Sequence, residues 1–243
     1  MNWSTKYAVK HASRIIVPSE ATRHDLIEFF KCPAEKISVV HHGFKKPSHS
    51  SVPASISENL KFFGFDKKFP YILFVGRLES KKNLARLVEA FRIFSENKPG
   101  YRLVLAGKQG FEFDEILKKV NKFKIENSVI MPGYIDEDEK KYLYENCEIF
   151  AFPSLYEGFG FPILEAFYYG KPVATSHVSC LPEVAGDAAV YFDPFDVSEI
   201  ANVLEKLANN ADLRNELADK GKARLEQFDL KTSIKKTFDI LTK

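Results

Sequence analysis

No stretch of this chain approaches the roughly 18 consecutive apolar residues of a membrane span, and its opening, MNWSTKYAVKHASRII, has no apolar core of signal-peptide length. Neither a spanning anchor nor a secretory leader is expected, so the chain reads as cytoplasmic and the Asn2-Trp3-Ser4 sequon is without consequence. Cysteine is scarce as well. Cys32, Cys147 and Cys180 are odd in number, far apart and free of any CxxC or Cys/His cluster, which argues against structural zinc and for free thiols. Charge of one sign is missing too: 35 Lys and Arg against 33 Asp and Glu leave a formal +2. That balance announces no nucleic-acid partner.

What is abundant is core material. Hydrophobic residues make up 45% of the 243, with phenylalanine at 22 positions, enough for a substantial interior. Short apolar runs, most without polar alternation, recur at 37–40, 71–75, 102–106, 129–131, 149–152, 173–175 and 189–192. This is the pattern of strands covered on both faces. Amphipathic stretches lie between them at 83–97, 136–146, 197–208 and 213–227; the first carries Leu84, Leu87, Val88, Phe91 and Phe94 at helical spacing. Strand and helix in alternation imply an α/β fold, a doubly wound, mainly parallel, Rossmann-like sheet.

Residues 1–44 read as a unit apart: a strand at 14–17, a helix at 20–30 and a strand at 37–41. One such unit cannot bury both faces of its strands alone, so it docks on the main domain or lacks its proper neighbours. A linker rich in Ser, Pro and Lys follows at 45–53, the main domain runs from 45 to 227, and 228–243 reads as a terminal helix after a break at Phe228-Asp229.

Chemistry concentrates where strands end. After the run at 149–152 comes Ser154-Leu-Tyr-Glu157-Gly158-Phe159-Gly160-Phe161-Pro162-Ile-Leu164-Glu165. Pro162 suits the first position of a helix and Gly170 the residue past its end, so a helix is expected at 162–169. Its glycine-opened start presents unpaired N–H groups, a place for a phosphate or diphosphate. Glu157 and Glu165 flank that place. Phosphates repel carboxylates, which points each acid at a neutral hydroxyl, a ribose on one side and another sugar on the other. Taken alone, each acid also reads as an ordinary loop or helix-surface charge.

Gly76, Arg77 and Lys82 repeat the theme of strand end, glycine and helix start. Arginine offers a planar fork and lysine a compact charge, a pair suited to a diphosphate, though a solvated basic turn has the same composition. Gly107 and Gly133 close two more strands, and in a parallel sheet all four ends share one edge. Asp136-Glu-Asp138 imitates a metal motif but opens an amphipathic helix, where acids suit the dipole. His41-His42 has no partner ligands at helpful spacing and reads as a hinge contact.

Gly76-Arg77-Leu78 followed by Lys82, then Pro132-Gly133-Tyr134, then Glu157 and Glu165 with seven residues between, then Ser179-Cys-Leu-Pro182-Glu183-Val-Ala-Gly186, keep one order and spacing. Over roughly residues 37–227 they resemble the C-terminal domain of family 4 retaining glycosyltransferases of the GT-B fold, especially mannosyltransferase-like members that build bacterial surface polysaccharides. The resemblance implies that Arg77 and Lys82 bind the donor diphosphate and stabilise charge developing on it. Glu165 would take the ribose hydroxyls and Glu157 would face the transferred sugar. Backbone groups of Gly158, Phe159, Gly160, Phe161 and Pro162 would line the sugar and phosphate, those around Gly133 and Tyr134 would hold the base, and Gly76, Gly107 and Leu164 are further donor-binding candidates. Arg77, Lys82 and Glu157 are then the candidate catalytic residues. Anomeric configuration would be retained and no metal cofactor needed, two cations doing the work of one.

The implied donor is a GDP- or UDP-hexose and the acceptor a glycan or a lipid-linked glycan. Such enzymes hold the acceptor on a separate N-terminal domain across a cleft. Residues 1–44 resemble only the last unit of it, so a matching N-terminal half is expected as partner, with the terminal helix packing toward it. The resemblance also admits a peripheral place at a membrane. A non-catalytic nucleotide-sugar-binding module is the alternative reading.

Overall fold

The computed structural model describes residues 3–47 and 57–242. From residue 48 onward the expected linker at 45–53 lies outside the described residues, as does Asn2 of the sequon. The chain enters through helix α1 (Trp3–His11), then β1 (Ile15–Val17), α2 (Glu20–Phe30) and β2 (Ile37–Val39). β1 and β2 pair in parallel from Ile15 opposite Ile37 to Val17 opposite Val39. Val17, Leu26, Cys32 and Ile37 form a small core of their own between these elements.

After α3 (Glu58–Phe62), strand and helix alternate: β3 (Tyr71–Val75), α4 (Leu84–Asn97), β4 (Arg102–Ala106), α5 (Phe113–Phe123), β5 (Val129–Gly133), α6 (Glu137–Asn146) and β6 (Ile149–Phe152). Then follow α7 (Phe161–Tyr168), β7 (Val173–Ser176), α8 (Leu181–Ala185), β8 (Ala189–Phe192), α9 (Val197–Asn209), α10 (Ala211–Leu225) and α11 (Leu230–Leu241). The six strands β3 to β8 form one all-parallel sheet in the order β5-β4-β3-β6-β7-β8. Every residue of β3 and β6 is buried, which is why those runs lack polar alternation.

From β3 the chain steps outward through β4 to β5, then returns past β3 to lay down β6, β7 and β8 on the other side. Right-handed crossovers in opposite directions place their helices on opposite faces. α4 accordingly packs with α5 and α9, and α7 with α10. The reversal falls between β3 and β6, the crevice where open sheets of this kind bind ligands. No described helix is long and apolar enough to cross a membrane.

The elements depart from expectation in several places, and the strand expected at 37–41 ends at Val39. The helix after the glycine loop starts at Phe161, so Pro162 occupies its second position, where a missing N–H still costs no intrahelical bond. The strand expected at 129–131 continues to Gly133. Helices α1, α3, α5 and α8 are additions. Segments 41–44 and 228–233 run side by side: Phe44 N–H donates to the Phe228 carbonyl at 2.7 Å and Ser233 Oγ to the His41 carbonyl at 2.8 Å. Gly43 makes the approach possible, because a Cβ there would lie 2.3 Å from Leu230 Cα.

Candidate functional site

Two loops meet at the reversal point. Leu155 N–H, in the β6–α7 loop, donates to the Lys81 carbonyl of the β3–α4 loop at 2.9 Å. Beside this tie the Lys82 ammonium bonds the Glu157 carboxylate, both side chains being 12% exposed. Local structure aims the lysine: Ser80–Lys82 is a 3-10 turn closed by Asn83 in the left-handed region at φ 58°. The buried Asn83 amide donates to the Pro194 carbonyl at 2.7 Å, fixing the turn to the body of the domain. Lys82 also lies 5.3 Å from the centre of the Phe152 ring.

Glu157 is held from behind by the loop before α8. Ser179 Oγ accepts from Glu157 N–H at 3.2 Å and donates to the Glu157 carbonyl at 2.7 Å. Cys180 Sγ reaches the carbonyls of Glu157 and Phe159, each at 3.1 Å. Burial pushes the Cys180 thiol up to about 12, so it stays a protonated donor.

The other cation stands differently. Arg77 is exposed at the rim, its Nε 3.7 Å from Glu79, its stem against Gly110 of the β4–α5 loop. Lys82 and Arg77 thus share one loop, but only Lys82 touches Glu157. Gly76 and Gly107 close β3 and β4 at near contact. A Cβ on Gly107 would sit 1.9 Å from the Gly76 oxygen, and φ is 144°.

Gly160 stands immediately before α7 with a φ of 108° that suits glycine, and no side chain caps the helix. Pro162 has no N–H and Ile163 N–H donates to the Gly160 carbonyl at 3.0 Å, so the Phe161 N–H is the one left without a side-chain acceptor at the positive end of the helix dipole. Phe161 is exposed and stacks on His42 at 5.4 Å. Phe159 and Leu164, expected at the donor, turn their side chains inward and are buried. Their side chains go to the core, which leaves the backbone of Phe159 as the part expected to meet a donor. Tyr134 is exposed at the end of β5 with the Lys108 ammonium 4.7 Å from its ring centre.

Glu165 is no free surface charge. Its carboxylate accepts from Lys140 Nζ at 3.1 Å and from Tyr144 Oη at 3.0 Å. Asp136, read as a helix start, is the N-cap of α6 in a reciprocal capping box with Glu139.

The first unit is clasped to this loop. Glu183 accepts from Glu20 N–H at 2.9 Å with each oxygen, from Ala21 N–H at 3.4 Å and bonds His41 Nε2 at 2.6 Å. A carboxylate thereby satisfies the N-terminus of α2 from another part of the chain. Ser19 Oγ donates to the Gly158 carbonyl at 3.1 Å, and Tyr156 Oη to Asp25 at 2.7 Å. The unit of β1, α2 and β2 therefore docks on the main domain, and His41 and His42 contact Glu183 and Phe161 of that domain. Sequence reasoning gave Lys140, Tyr144, Ser19 and Asp25 no part and Glu183 no role. The one local signal was the i, i+4 spacing of Lys140 and Tyr144 on α6.

The model of the glycosyl transferases group 1 family matches residues 55–224, and that of Glycosyltransferase Family 4 matches residues 1–45. Over 98% of its length the chain is 32% identical to O-antigen chain mannosyltransferase B of Escherichia coli, spanning 63% of that protein. It is 34% identical over 65% of its length to the serotype-specific mannosyltransferase WbdA of the same organism, spanning 20% of it. The chain thus spans less than two thirds of these relatives. Among solved structures, Anabaena HepE in complex with UDP and glucose superposes with a TM-score of 0.84 at 23% identity, covering 99% of this chain and 66% of that one. Sucrose-phosphate synthase of Thermosynechococcus elongatus gives 0.82 at 21% identity, covering 98% and 59%. The expected Rossmann-like fold of a GT-B C-terminal half is the one observed. The group 1 match takes in most of the chain and every loop of the crevice, from Gly76 to Glu183, and the chain belongs to the glycosyl transferases group 1 family.

Proposed function

We propose that this chain binds a nucleoside-diphosphate hexose in the crevice between β3 and β6 and forms the donor-binding part of a retaining glycosyltransferase. The observation that carries the reading is the meeting of Lys82 and Glu157 beside the uncapped start of α7. An ammonium, an exposed guanidinium five residues away and a helix N-terminus form a cationic rim for a diphosphate. In the reaction, the acceptor oxygen bonds the anomeric carbon as the bond to the diphosphate oxygen breaks. The acceptor proton balances the charge left on the released diphosphate. Arg77 and Lys82 stabilise that charge and Glu157 faces the sugar. With two cations and a helix dipole on the leaving group, the reaction needs no metal, and a chelator leaves its rate unchanged.

The printed names of the relatives support mannose as the hexose and a glycan as the acceptor. That the chain spans 63% of mannosyltransferase B supports a further, acceptor-binding domain for turnover. The test supplies GDP-mannose or UDP-glucose and a mannan oligosaccharide, with and without the remaining domain added in trans, and reads the product anomer by NMR. Transfer with retention, dependent on the added domain, supports the reading. Nucleotide-sugar binding without transfer in either arm overturns the catalytic part.

A further inference from the structure

The two candidate carboxylates, one before α7 and one in its second turn, are each met by a lysine, Glu157 by Lys82 and Glu165 by Lys140. The second pair comes from different crossovers: Lys140 lies on α6, Glu165 on α7. Both side chains are largely buried, at 17% and 20% exposure, and Glu165 lines a cavity of about 260 Å³ that also touches Lys45 and Lys46. Lys140 binds one oxygen of Glu165 and Tyr144 the other. Tyr144 is fixed in turn, fully buried and stacked 5.3 Å from Tyr169. Burial pulls the Lys140 ammonium toward its neutral form, but Glu137 and Glu165 outweigh it and hold its pKa above that of ordinary lysine. It stays charged.

A lone glutamate near a diphosphate suffers two handicaps. Its negative charge is repelled, and its flexible side chain must be ordered at the moment of binding. Lys140 removes the first by cancelling the charge; two hydrogen bonds to opposite oxygens remove the second. A carboxylate has about four lone-pair directions, so two remain for a ligand. Two acceptors at fixed separation on a neutralised group suit a vicinal diol. We propose that Lys140 and Tyr144 are positioning residues that hold Glu165 as the acceptor reading the ribose diol of the donor nucleotide, which makes the site discriminate against deoxyribose. This rests on the donor reading above.

Calorimetric Kd values for GDP and UDP and their 2′-deoxy forms test it, measured on the wild type, K140M, Y144F, the double variant and K140R. The wild type is expected to bind the ribose form about tenfold more tightly, the scale of one hydrogen bond to a charged group. In K140M/Y144F the uncancelled charge of Glu165 repels the diphosphate of both forms, but the ribose form weakens about tenfold more than the deoxy form and the ratio falls toward one. K140R restores most of the ratio. A structural role alone would weaken both forms by the same factor. A double variant that retains the tenfold preference, or that loses both forms equally, overturns the positioning role. A wild type that binds both forms equally overturns it while leaving the donor reading intact, and one that binds neither form overturns both.

Discussion

Lys82 and Glu157, separated by 75 positions in sequence, form an ion pair almost sealed from solvent where the sheet reverses direction. Each charge in such a pair depends on the other. Lys82→Met strands the carboxylate and is expected to cost about 3 kcal/mol, whereas Lys82→Met with Glu157→Met restores most of the loss by filling the same volume with apolar atoms. Neither variant recovers nucleoside-diphosphate affinity. Urea midpoints together with calorimetry check both halves. A double variant no more stable than the single one contradicts the pairing.

Gly107→Ala drives a methyl group into the Gly76 oxygen, from a backbone conformation that alanine resists. The ends of β3 and β4 must part. The expected loss is about 3 kcal/mol, the upper end of overpacking effects, and nucleotide affinity falls with it because both loops shift. Thermal melts and titration decide; an unaltered melting point removes the proposed close approach.

Glu183→Ala removes the carboxylate from the start of α2. Ser19 remains as the local cap, so the loss is about 1 kcal/mol. In hydrogen exchange the amides of Glu20 and Ala21 should open about fivefold faster while those of β3 keep their protection. Equal acceleration in β3 would mean global destabilisation rather than release of the clasp.

Burial pushes the Cys147 and Cys180 thiols from 9.0 up to about 12. Folded pKa values above the unfolded ones give stability that is full below about pH 9 and drains away as pH climbs toward about 12. Tyr156, raised by burial and then by Asp25, adds to the loss in the same direction above about pH 10. Urea midpoints should be level from about pH 7 to 8.5 and fall by pH 11. In the native chain at about pH 8 both thiols should react slowly with an aromatic disulfide reagent; labelling as fast as in urea contradicts their burial.

The framework was legible because its signals are local. Apolar runs named all six strands of the main sheet, glycines named the strand ends, and that these ends share one edge follows from a parallel sheet; the strand order itself came from the structure. Helix α5 had its stripe too, Phe113, Ile116 and Val120 at helical spacing, yet it was not among the elements expected. Gly158 to Pro162 announced an open helix start one residue from where it lies. What the sequence hid is tertiary. Glu183 capping α2 spans 163 positions and Ser19 on Gly158 spans 139, distances over which no periodicity speaks. Burial of Phe159 and Leu164 was equally mute, since a residue inside a binding motif looks the same whether its side chain faces a ligand or the core.

The account stands on a diphosphate held by the cationic rim of the crevice. Titration calorimetry of GDP and UDP into the wild type and into Arg77→Ala tests it most directly. At least one nucleotide should bind the wild type, and the variant should bind it more weakly by about 1.5–3 kcal/mol, the scale of a lost charged hydrogen bond. No binding of either nucleotide, or an unchanged affinity in the variant, would contradict it.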